Sequence, residues 1–432
     1  MESQIVENIE MRPKGGRATL FIVLLFFSGL LSQGCTGAGA WDAIREEIRR
    51  ESGEEQPSED AVDEPGWVGS VQVTISTASI SSYLFDVPVL IRVDPTRVDY
   101  DLLTDADYSV GFYLEEYSEA ASPLSYECSL WDPRGESLFW VRLPVLTPGD
   151  AVRIWMYLGD PGFGTPEDPA DVWRNGYVAV LHFDDPEEIY RDSSPFGNHG
   201  LNSNEAVEGH TPATSSPGYL GYGIDFDDNT DAIIFPDDPS TDNMRPLHLF
   251  AFLNLRSLDG PSRLLSKGDR HLGYQLQGGD STLRINTRIQ HWVPPDADTA
   301  GDDPNDVFSE VFVLGYPTDT WRSWNWYWGG EKYDRSSVVY VDDNSYSSGG
   351  YEVPDADLED PGYGAGDIEM DDDSATPLVI GNGDWFGANS RVIDGYLDEV
   401  RLSRVSRTPE WIAFQQDLLT ETITTFGAFE AE

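Results

Sequence analysis

Three tryptophans that lie close together in the chain have the residue type and spacing to bind a sugar. Trp324, Trp326 and Trp328 alternate with Asn325 and Tyr327, and successive side chains of a β-strand point to opposite faces of its sheet. A strand here would place three indole rings on one face, where sugar rings could stack. The same rings could fill the interior of a sandwich instead, because large aromatic side chains supply much of the apolar area that a core buries. We favour burial for at least two of them.

A second group of candidates consists of carboxylates. Asp367, Glu369 and Asp371 alternate and would share one face of a strand. The array resembles the paired acids of glycoside hydrolases, in which one acid protonates the leaving group and the other attacks the sugar. Here the run lies among glycines and further aspartates rather than in an apolar strand, which favours a solvated loop or loose cation binding.

Other catalytic signatures are absent from the sequence. The 6 histidines show no metal-ligand spacing, and no Gly-x-Ser-x-Gly motif is present. We therefore predict that the protein is not an enzyme.

The overall charge limits the possible partners. The 432 residues include 27 Lys and Arg against 77 Asp and Glu, a formal net charge of −50. A surface of this sign repels phosphate backbones and anionic lipids, which argues against nucleic acid as a partner. It favours solubility and divalent cations, and a solvated acidic surface explains most of the excess without any specific site.

The N-terminal residues predict export and a lipid anchor. If the chain starts at Met11, a short basic segment precedes the apolar run 18–31, which is too short to span a bilayer of about 30 Å and has the flanks of a signal peptide. The residues before Cys35 resemble a bacterial lipobox, which implies that residues 1–35 are a lipoprotein signal peptide and that Cys35 is lipidated. Thr36 resembles the class sorted to the outer membrane. An uncleaved anchor helix is the alternative.

The next segment predicts a tether. Residues 36–65 are acidic and poor in apolar residues, as expected of a flexible linker that holds a folded part away from the membrane. With Cys35 lipidated, Cys128 is the one remaining cysteine, so no intrachain disulfide can form. The predicted location is the cell envelope, as an outer membrane lipoprotein that faces either the periplasm or the surface.

Residues 66–168 predict a β-sandwich. Short apolar runs such as 71–75, 87–91 and 151–157 alternate with polar residues and are separated by turn residues. Their order is similar to a domain of unknown function in bacterial and archaeal surface proteins, which often stands before a laminin G-like domain. No function comes with this resemblance.

Residues 169–432 predict a second sandwich. Three segments follow one another in an order and at a spacing that resemble the laminin G-like, concanavalin A-like jelly roll of bacterial surface proteins. They are residues 192–200 (Asp-Ser-Ser-Pro-Phe-Gly-Asn-His-Gly), 223–227 (Gly-Ile-Asp-Phe-Asp) and 395–403 (Gly-Tyr-Leu-Asp-Glu-Val-Arg-Leu-Ser). The predicted fold class is therefore all-β, with two β-sandwich domains of which the C-terminal one is a jelly roll. In jelly rolls of this kind the first and last strands lie side by side.

The jelly-roll resemblance also implies a cation site. It brings the 192–198 loop towards Asp398, so we predict a structural calcium site at Asp192, Asn198 and Asp398, since calcium takes about six to eight oxygen ligands. The alternative is that these side chains cap tight turns.

The predicted function is a non-catalytic, envelope-anchored binding or adhesion protein that recognises a glycan or another surface protein. Two alternatives remain: a glycoside hydrolase or lyase on the same fold, and a structural surface component.

Overall fold

The computed structural model of this chain is an all-β structure built of two β-sandwiches, which confirms the predicted fold class. It describes residues 66–431, apart from 104–108, 160–165, 202–213, 258–261, 278–281, 293–305, 329–336, 348–368, 371–376, 383–391 and shorter gaps of one or two residues. The predicted signal peptide, Cys35 and the tether lie outside the described residues. Within the described part of the chain, no helix has the length and apolarity needed to cross a bilayer.

The first sandwich packs two small sheets around an apolar core. Its strands are β1 (Trp67–Ser76), β2 (Leu84–Val93), β3 (Ser109–Tyr113), β4 (Tyr126–Leu130), β5 (Ser137–Leu146) and β6 (Ala151–Gly159), with a 3-10 turn at Tyr100–Leu102. One sheet contains β1, β6 and β3 in that order, and the other contains β2, β5 and β4. Alternate residues of β1, Val71, Val73 and Ile75, are buried in the core, as their period of two predicts.

A short helix, α1 (Pro169–Val172), connects the two sandwiches. The Asp168 side chain caps it by accepting a hydrogen bond from the Asp171 amide at 3.1 Å, and proline suits the first helical position because its own φ is already helical. Trp173 follows directly and is fully buried. The linker therefore ends in a large apolar anchor between the sandwiches.

The second sandwich contains the strands from β7 to β21. They are β7 (Tyr177–Leu181), β8 (Thr214–Pro217), β9 (Tyr222–Phe226), β10 (Ile233–Phe235), β11 (Leu247–Leu255), β12 (Ser262–Lys267), β13 (Arg270–Gln277), β14 (Thr282–Trp292), β15 (Asp306–Leu314), β16 (Arg322–Trp328), β17 (Ser337–Val341), β18 (Asn344–Ser347), β19 (Glu369–Met370), β20 (Leu378–Ile380) and β21 (Gly395–Ser403). One sheet has the order β10-β20-β12-β13-β14-β15, with β19 beside β14. The other has the order β18-β17-β16-β11-β21-β9-β8, with β7 beside β21.

The first and last strands of this second sandwich are neighbours. β7 runs antiparallel to β21, with Leu181 opposite Val400 and Ala179 opposite Leu402. This pairing confirms the predicted adjacency, and it places the segment after β7 beside the Asp398 to Arg401 part of β21.

The end of the chain returns to the first sandwich. Helix α2 (Pro409–Leu419) begins after Thr408, whose side chain accepts from the Trp411 amide at 3.1 Å. Its buried face, Trp411, Phe414 and Leu418, belongs to the core of the first sandwich. The final strand, β22 (Thr424–Ala431), pairs antiparallel with β1 and extends its sheet.

This return corrects the predicted domain range 169–432. Residues 409–431 follow the second sandwich in the chain but pack on the first one, because the apolar face of α2 is buried there. The second sandwich is thus inserted between β6 and α2.

Candidate functional site

The sheet of the second sandwich has a gap where β21 changes partner. Residues 395–397 of β21 pair with β9, whereas residues 400–403 pair with β7. Between these stretches the register against β11 is irregular, and Glu399 adopts a left-handed φ of 53°. This geometry is a β-bulge, which re-aims the side chains of a strand. The side chains of Leu397 and Val400 lie in the core of the second sandwich, whereas those of the two residues between them, Asp398 and Glu399, lie outside it.

A buried ion network occupies the space between the two sandwiches at this gap. The Nδ1 atom of His182 lies 2.8 Å from Oε1 of Glu399, and its Nε2 atom lies 3.3 Å from Oε2 of Glu127 on β4. Nη2 of Arg401 donates to Oε2 of Glu399 at 2.6 Å. Glu127, His182, Glu399 and Arg401 are all at most 5% exposed. The network therefore links β4 of the first sandwich to β21 of the second and is almost entirely shielded from solvent.

Aromatic rings and hydrogen bonds enclose this network. The Glu127 carboxylate also accepts from Nε1 of Trp173 at 2.6 Å and from the Ser193 hydroxyl. The guanidinium carbon of Arg401 lies 4.2 Å from the ring centroid of Trp140, and His182 stacks on the same ring. Each charge therefore has an opposite charge beside it, and the two cations also lie against aromatic rings, which offsets part of the cost of their removal from water.

The charge states follow from this geometry. Burial alone would lower the pKa of His182, but the carboxylates of Glu399 and Glu127 raise it to about 10. Burial opposes ionisation of Glu399, yet His182 and Arg401 hold its pKa below the ordinary value. The network is thus ionised at neutral pH, with two carboxylates balanced by two cations.

Two further buried aspartates adjoin the network. Oδ1 of Asp184 accepts from the Tyr222 amide at 2.8 Å, and Oδ2 of Asp398 accepts from the amides of Tyr219 and Leu220, each at 2.8 Å. Burial raises the pKa of Asp184 to about 7 and the pKa of Asp398 well above its ordinary value. Both aspartates therefore hold the same turn, 218–222, against the gap in the sheet.

Sequence reasoning missed this network. Glu127, His182 and Arg401 carry no recognisable spacing, and a charged residue in an alternating strand normally predicts a solvent-facing position. The one available signal was the run 398–401, in which three of four residues are charged inside an otherwise apolar strand.

The predicted calcium ligands do not form one cluster. Asp192 accepts four hydrogen bonds, from the amides of Val180, Ser194 and Asn198 and from the Ser194 hydroxyl, at 2.7–2.8 Å. Its carboxylate thus caps the 192–198 turn, as the alternative prediction stated. Asp398 shares none of these partners. Among the described residues, no three His, Cys, Asp or Glu side chains are arranged to hold one metal ion.

The Asn198 side chain holds the same turn. Its Nδ2 donates to the Val178 carbonyl at 2.7 Å and to the Ser240 hydroxyl at 2.8 Å. Asp192 and Asn198 together therefore fix the turn to β7 from within.

The predicted tryptophan platform needs correction. Trp324 and Trp326 on β16 are each 2% exposed and lie in the core of the second sandwich. Neither ring is available to a ligand, because alternation directs them to the inner face of the sheet, as the burial alternative stated. Trp328 pairs through its backbone with Leu247, and its side chain lies outside the described residues.

A different set of aromatic rings lies on the face of this sheet that is turned away from its own core, where Tyr219 and Trp321 pack at the margin of the apolar cluster between the sandwiches. Trp321 precedes β16, and its ring centroid is 6.4 Å from that of Tyr219 and 6.3 Å from that of Tyr396. All three residues are half-buried. We call these three residues the outer aromatic patch.

Polar groups border the outer aromatic patch. Tyr396 on β21 lies opposite Asn254 of β11 and Asp225 of β9. The Arg256 guanidinium carbon lies 4.6 Å from the Tyr396 ring centroid, and its Nη2 donates to Oδ1 of Asp225 at 2.7 Å. Oδ1 of Asn254 is buried and makes no hydrogen bond. The patch thus combines apolar rings with amide, carboxylate and guanidinium groups.

The remaining predicted carboxylates are largely outside the described residues. Asp367 and Asp371 fall there, and of Glu369 only its backbone in β19, opposite Trp292, is described. The predicted carboxylate array stays a prediction.

One known family matches a part of the chain that runs from the first sandwich into the second. The family "Domain of unknown function (DUF2341)" matches residues 110–196, which confirms the resemblance of this part of the chain to a domain of unknown function. The match runs from β3 through α1 and β7 to the capped turn. It therefore includes Glu127 and His182, which lie on the two sides of the junction, the contact between the two sandwiches. No curated protein matches the chain.

Several solved structures resemble the fold at low similarity. Domain 4 of the extracellular arabinanase AbnA from Geobacillus stearothermophilus, in complex with arabinotriose, is 15% identical, with 56% of this chain and 98% of that chain covered and a TM-score of 0.36. Trypanosoma rangeli sialidase in complex with sialic acid is 14% identical, with 73% and 44% covered and a TM-score of 0.37. The binding domain of botulinum neurotoxin DC in complex with SialylT is 7% identical, with 57% and 52% covered and a TM-score of 0.35. At these similarities no ligand can be transferred to this chain.

Proposed function

We propose that this protein is a non-catalytic binding or adhesion protein of the cell envelope, which recognises a glycan or another surface protein through a laminin G-like second sandwich. The outer aromatic patch is the observation that carries this proposal. Half-buried Trp and Tyr side chains leave part of their large rings at the surface, and these residue types are enriched at binding surfaces.

The polar border of the patch fits the same role. The apolar C–H face of a sugar would stack on Trp321 or Tyr396, and its hydroxyls would meet Asn254 and the ion pair of Arg256 with Asp225. A few polar groups around an aromatic surface are the usual arrangement of a ligand site. A surface protein would use the same rings as apolar anchors.

The buried ion network supports a role without catalysis. Glycoside hydrolysis needs two carboxyl groups about 5–10 Å apart on either side of an accessible bond. Glu127, Asp184, Asp398 and Glu399 are instead at most 4% exposed, so a sugar cannot reach them. Their arrangement suits a rigid support for a binding surface.

The N-terminal features complete the proposal. Lipidation of Cys35 would fix the chain to the outer membrane, since acyl chains contribute about 0.8 kcal/mol of membrane binding per buried methylene, and residues 36–65 would act as the tether. Metabolic labelling with a radioactive fatty acid tests the anchor. Label in the wild type that is lost in Cys35→Ala supports it, and an unlabelled wild type contradicts it.

Binding to a glycan array, with and without EDTA, tests the proposed ligand surface. We expect Trp321→Ala and Tyr396→Ala each to lower the signal at least about tenfold, because removal of one stacked ring costs roughly 1.4 kcal/mol or more. Phe196→Ala is the control, since Phe196 is 52% exposed and belongs to the separate 192–198 turn. Equal binding by all four proteins would contradict the patch, and release of free sugar would contradict the non-catalytic role.

A further inference from the structure

One polar side chain stands in the middle of the outer aromatic patch. Asn254 lies on β11 directly opposite Tyr396 of β21, and on the other side of β11 lies β16, which follows Trp321. Its neighbours Leu253 and Leu255 belong to the core of the second sandwich, so alternation points Asn254 to the same face as the rings. The Trp321 and Tyr396 ring centroids are 6.3 Å apart. A ligand that stacks on these two rings would therefore lie against Asn254.

The polar atoms of the patch are mainly hydrogen-bond acceptors. Oδ1 of Asn254 is buried and makes no hydrogen bond, and buried polar atoms in folded proteins nearly always have a partner. On the other side of Tyr396, Asp225 of β9 adds a carboxylate. Acceptors of this kind need a donor from the ligand. A sugar hydroxyl is a donor, whereas an ionised carboxyl group only accepts.

The cation at the border of the patch is already occupied. Nε of Arg256 donates to Oδ1 of Asp394 at 2.9 Å, and its Nη2 donates to Oδ1 of Asp225 at 2.7 Å and to the Phe226 carbonyl at 2.8 Å. The flat face of the guanidinium lies against the Tyr396 ring. Two carboxylates around one guanidinium leave a net negative charge. Arg256 therefore has no charge left to balance an anionic ligand.

Two further cations near the patch are paired as well. Nη1 of Arg322, at the start of β16, donates to Oδ2 of Asp342 at 2.7 Å. The guanidinium of Arg92 in the first sandwich interacts electrostatically with the Tyr219 hydroxyl, but it makes two bonds to the Glu136 carboxylate, at 3.0 and 2.8 Å. The surroundings of the patch are thus acidic, in a chain whose formal net charge is −50.

We propose that the outer aromatic patch selects neutral glycans and excludes sialylated, uronate and sulfated ones. The proposal rests on the glycan binding proposed above, and it adds the charge class of the sugar. Sugar hydroxyls would donate to Asn254 and Asp225 while the C–H faces of the sugar stack on the rings. An anionic sugar would instead bring further acceptors and a like charge, and like charges placed together across an interface suppress binding.

Matched sugars of one backbone test the charge selection. Oligogalacturonate and its carboxyl-reduced form differ only in charge, and a glycan array adds further neutral and anionic members. For the part of the signal that Trp321→Ala removes, we expect anionic sugars to bind at least about tenfold more weakly than neutral ones. Binding of neutral sugars should not change between about 0.1 M and about 1 M NaCl, because they carry no charge for the salt to screen.

Two substitutions of Asn254 test its role as an acceptor. Asn254→Leu removes the side-chain oxygen and should lower neutral-sugar binding at least about tenfold. Asn254→Asp keeps an acceptor and should retain that binding while it weakens anionic sugars further. Thermal unfolding checks that both variants are folded. Full binding by Asn254→Leu, or equal losses in both folded variants, would overturn the assignment of Asn254 as the acceptor.

Asp394→Asn tests the neutralisation of Arg256. The Asp394 side chain is 50% exposed, and its replacement would release one donor of Arg256 and remove one negative charge. We expect the ratio of anionic to neutral binding to rise by about threefold or more. Asp150→Asn is the control, since it removes the same charge from an exposed site beyond the end of β5 that is opposite to Glu136. An equal ratio in the two variants would contradict the role of Asp394.

The outcomes separate this proposal from the proposed function. The absence of any glycan signal, or a signal that Trp321→Ala leaves unchanged, would contradict both. Two results would overturn the charge selection alone and leave glycan binding by the patch intact. One is Trp321-dependent binding of anionic sugars that equals or exceeds that of neutral sugars. The other is Trp321-dependent preference for glucosamine oligomers, which are cationic, over their neutral N-acetylated forms.

Discussion

Single residues at the junction carry several roles at once. Glu127 pairs with His182, accepts from Trp173 and Ser193, and lies in the first sandwich while its main charge partner lies in the second. Removal of such a group leaves a buried donor or charge without compensation, which costs far more than the loss of an exposed ion pair.

Glu127→Ala should therefore lower the free energy of unfolding by about 3–5 kcal/mol, the usual cost of breaking a buried ion pair. Glu127→Gln should cost less, because its amide oxygen can still accept from Trp173. Urea unfolding measures both effects, with the exposed Glu188→Ala as control. An unchanged urea midpoint for Glu127→Ala would show that the network does not stabilise the fold.

Among the elements, α2 shows what a sequence pattern can and cannot reveal. The period-two runs correctly predicted the strands of the first sandwich, and the jelly-roll resemblance implied the adjacency of β7 and β21 that the structure shows. They could not show that residues 409–431 pack on the first sandwich, because local periodicity identifies a buried face and not the surface that buries it. The same limit applies to Trp324 and Trp326, for which alternation defined one face of β16 but left open whether that face is the inner one.

The packing of α2 can be tested with one side chain. Phe414 is fully buried in the core of the first sandwich, so Phe414→Ala should lower the free energy of unfolding by about 3–5 kcal/mol. Ala413, next to it, is exposed, and Ala413→Ser should change the stability by less than about 0.5 kcal/mol. Equal urea midpoints for the two variants would contradict the assignment of α2 to the first core.

For the whole molecule, the two sandwiches share an apolar cluster as well as the ion network. Leu90 and Trp140 of the first sandwich pack with Val180, Phe250 and Phe252 of the second. An interface with this much buried apolar surface couples the stability of its two sides, whereas domains joined by a linker alone unfold separately.

Differential scanning calorimetry should consequently show a single unfolding transition for the two sandwiches. Glu127→Ala, which weakens the interface without touching either core, should broaden this transition or divide it in two. Two well-separated transitions in the wild type would contradict the coupling between the sandwiches.

The return of the chain to β1 has a mechanical consequence. Because the second sandwich is inserted between β6 and α2, the polypeptide crosses from one sandwich to the other twice. A tensile load between a partner held by the second sandwich and the N-terminal end of β1 is divided between two covalent connections that run in parallel. The second sandwich can be separated from the first only when both connections are extended together.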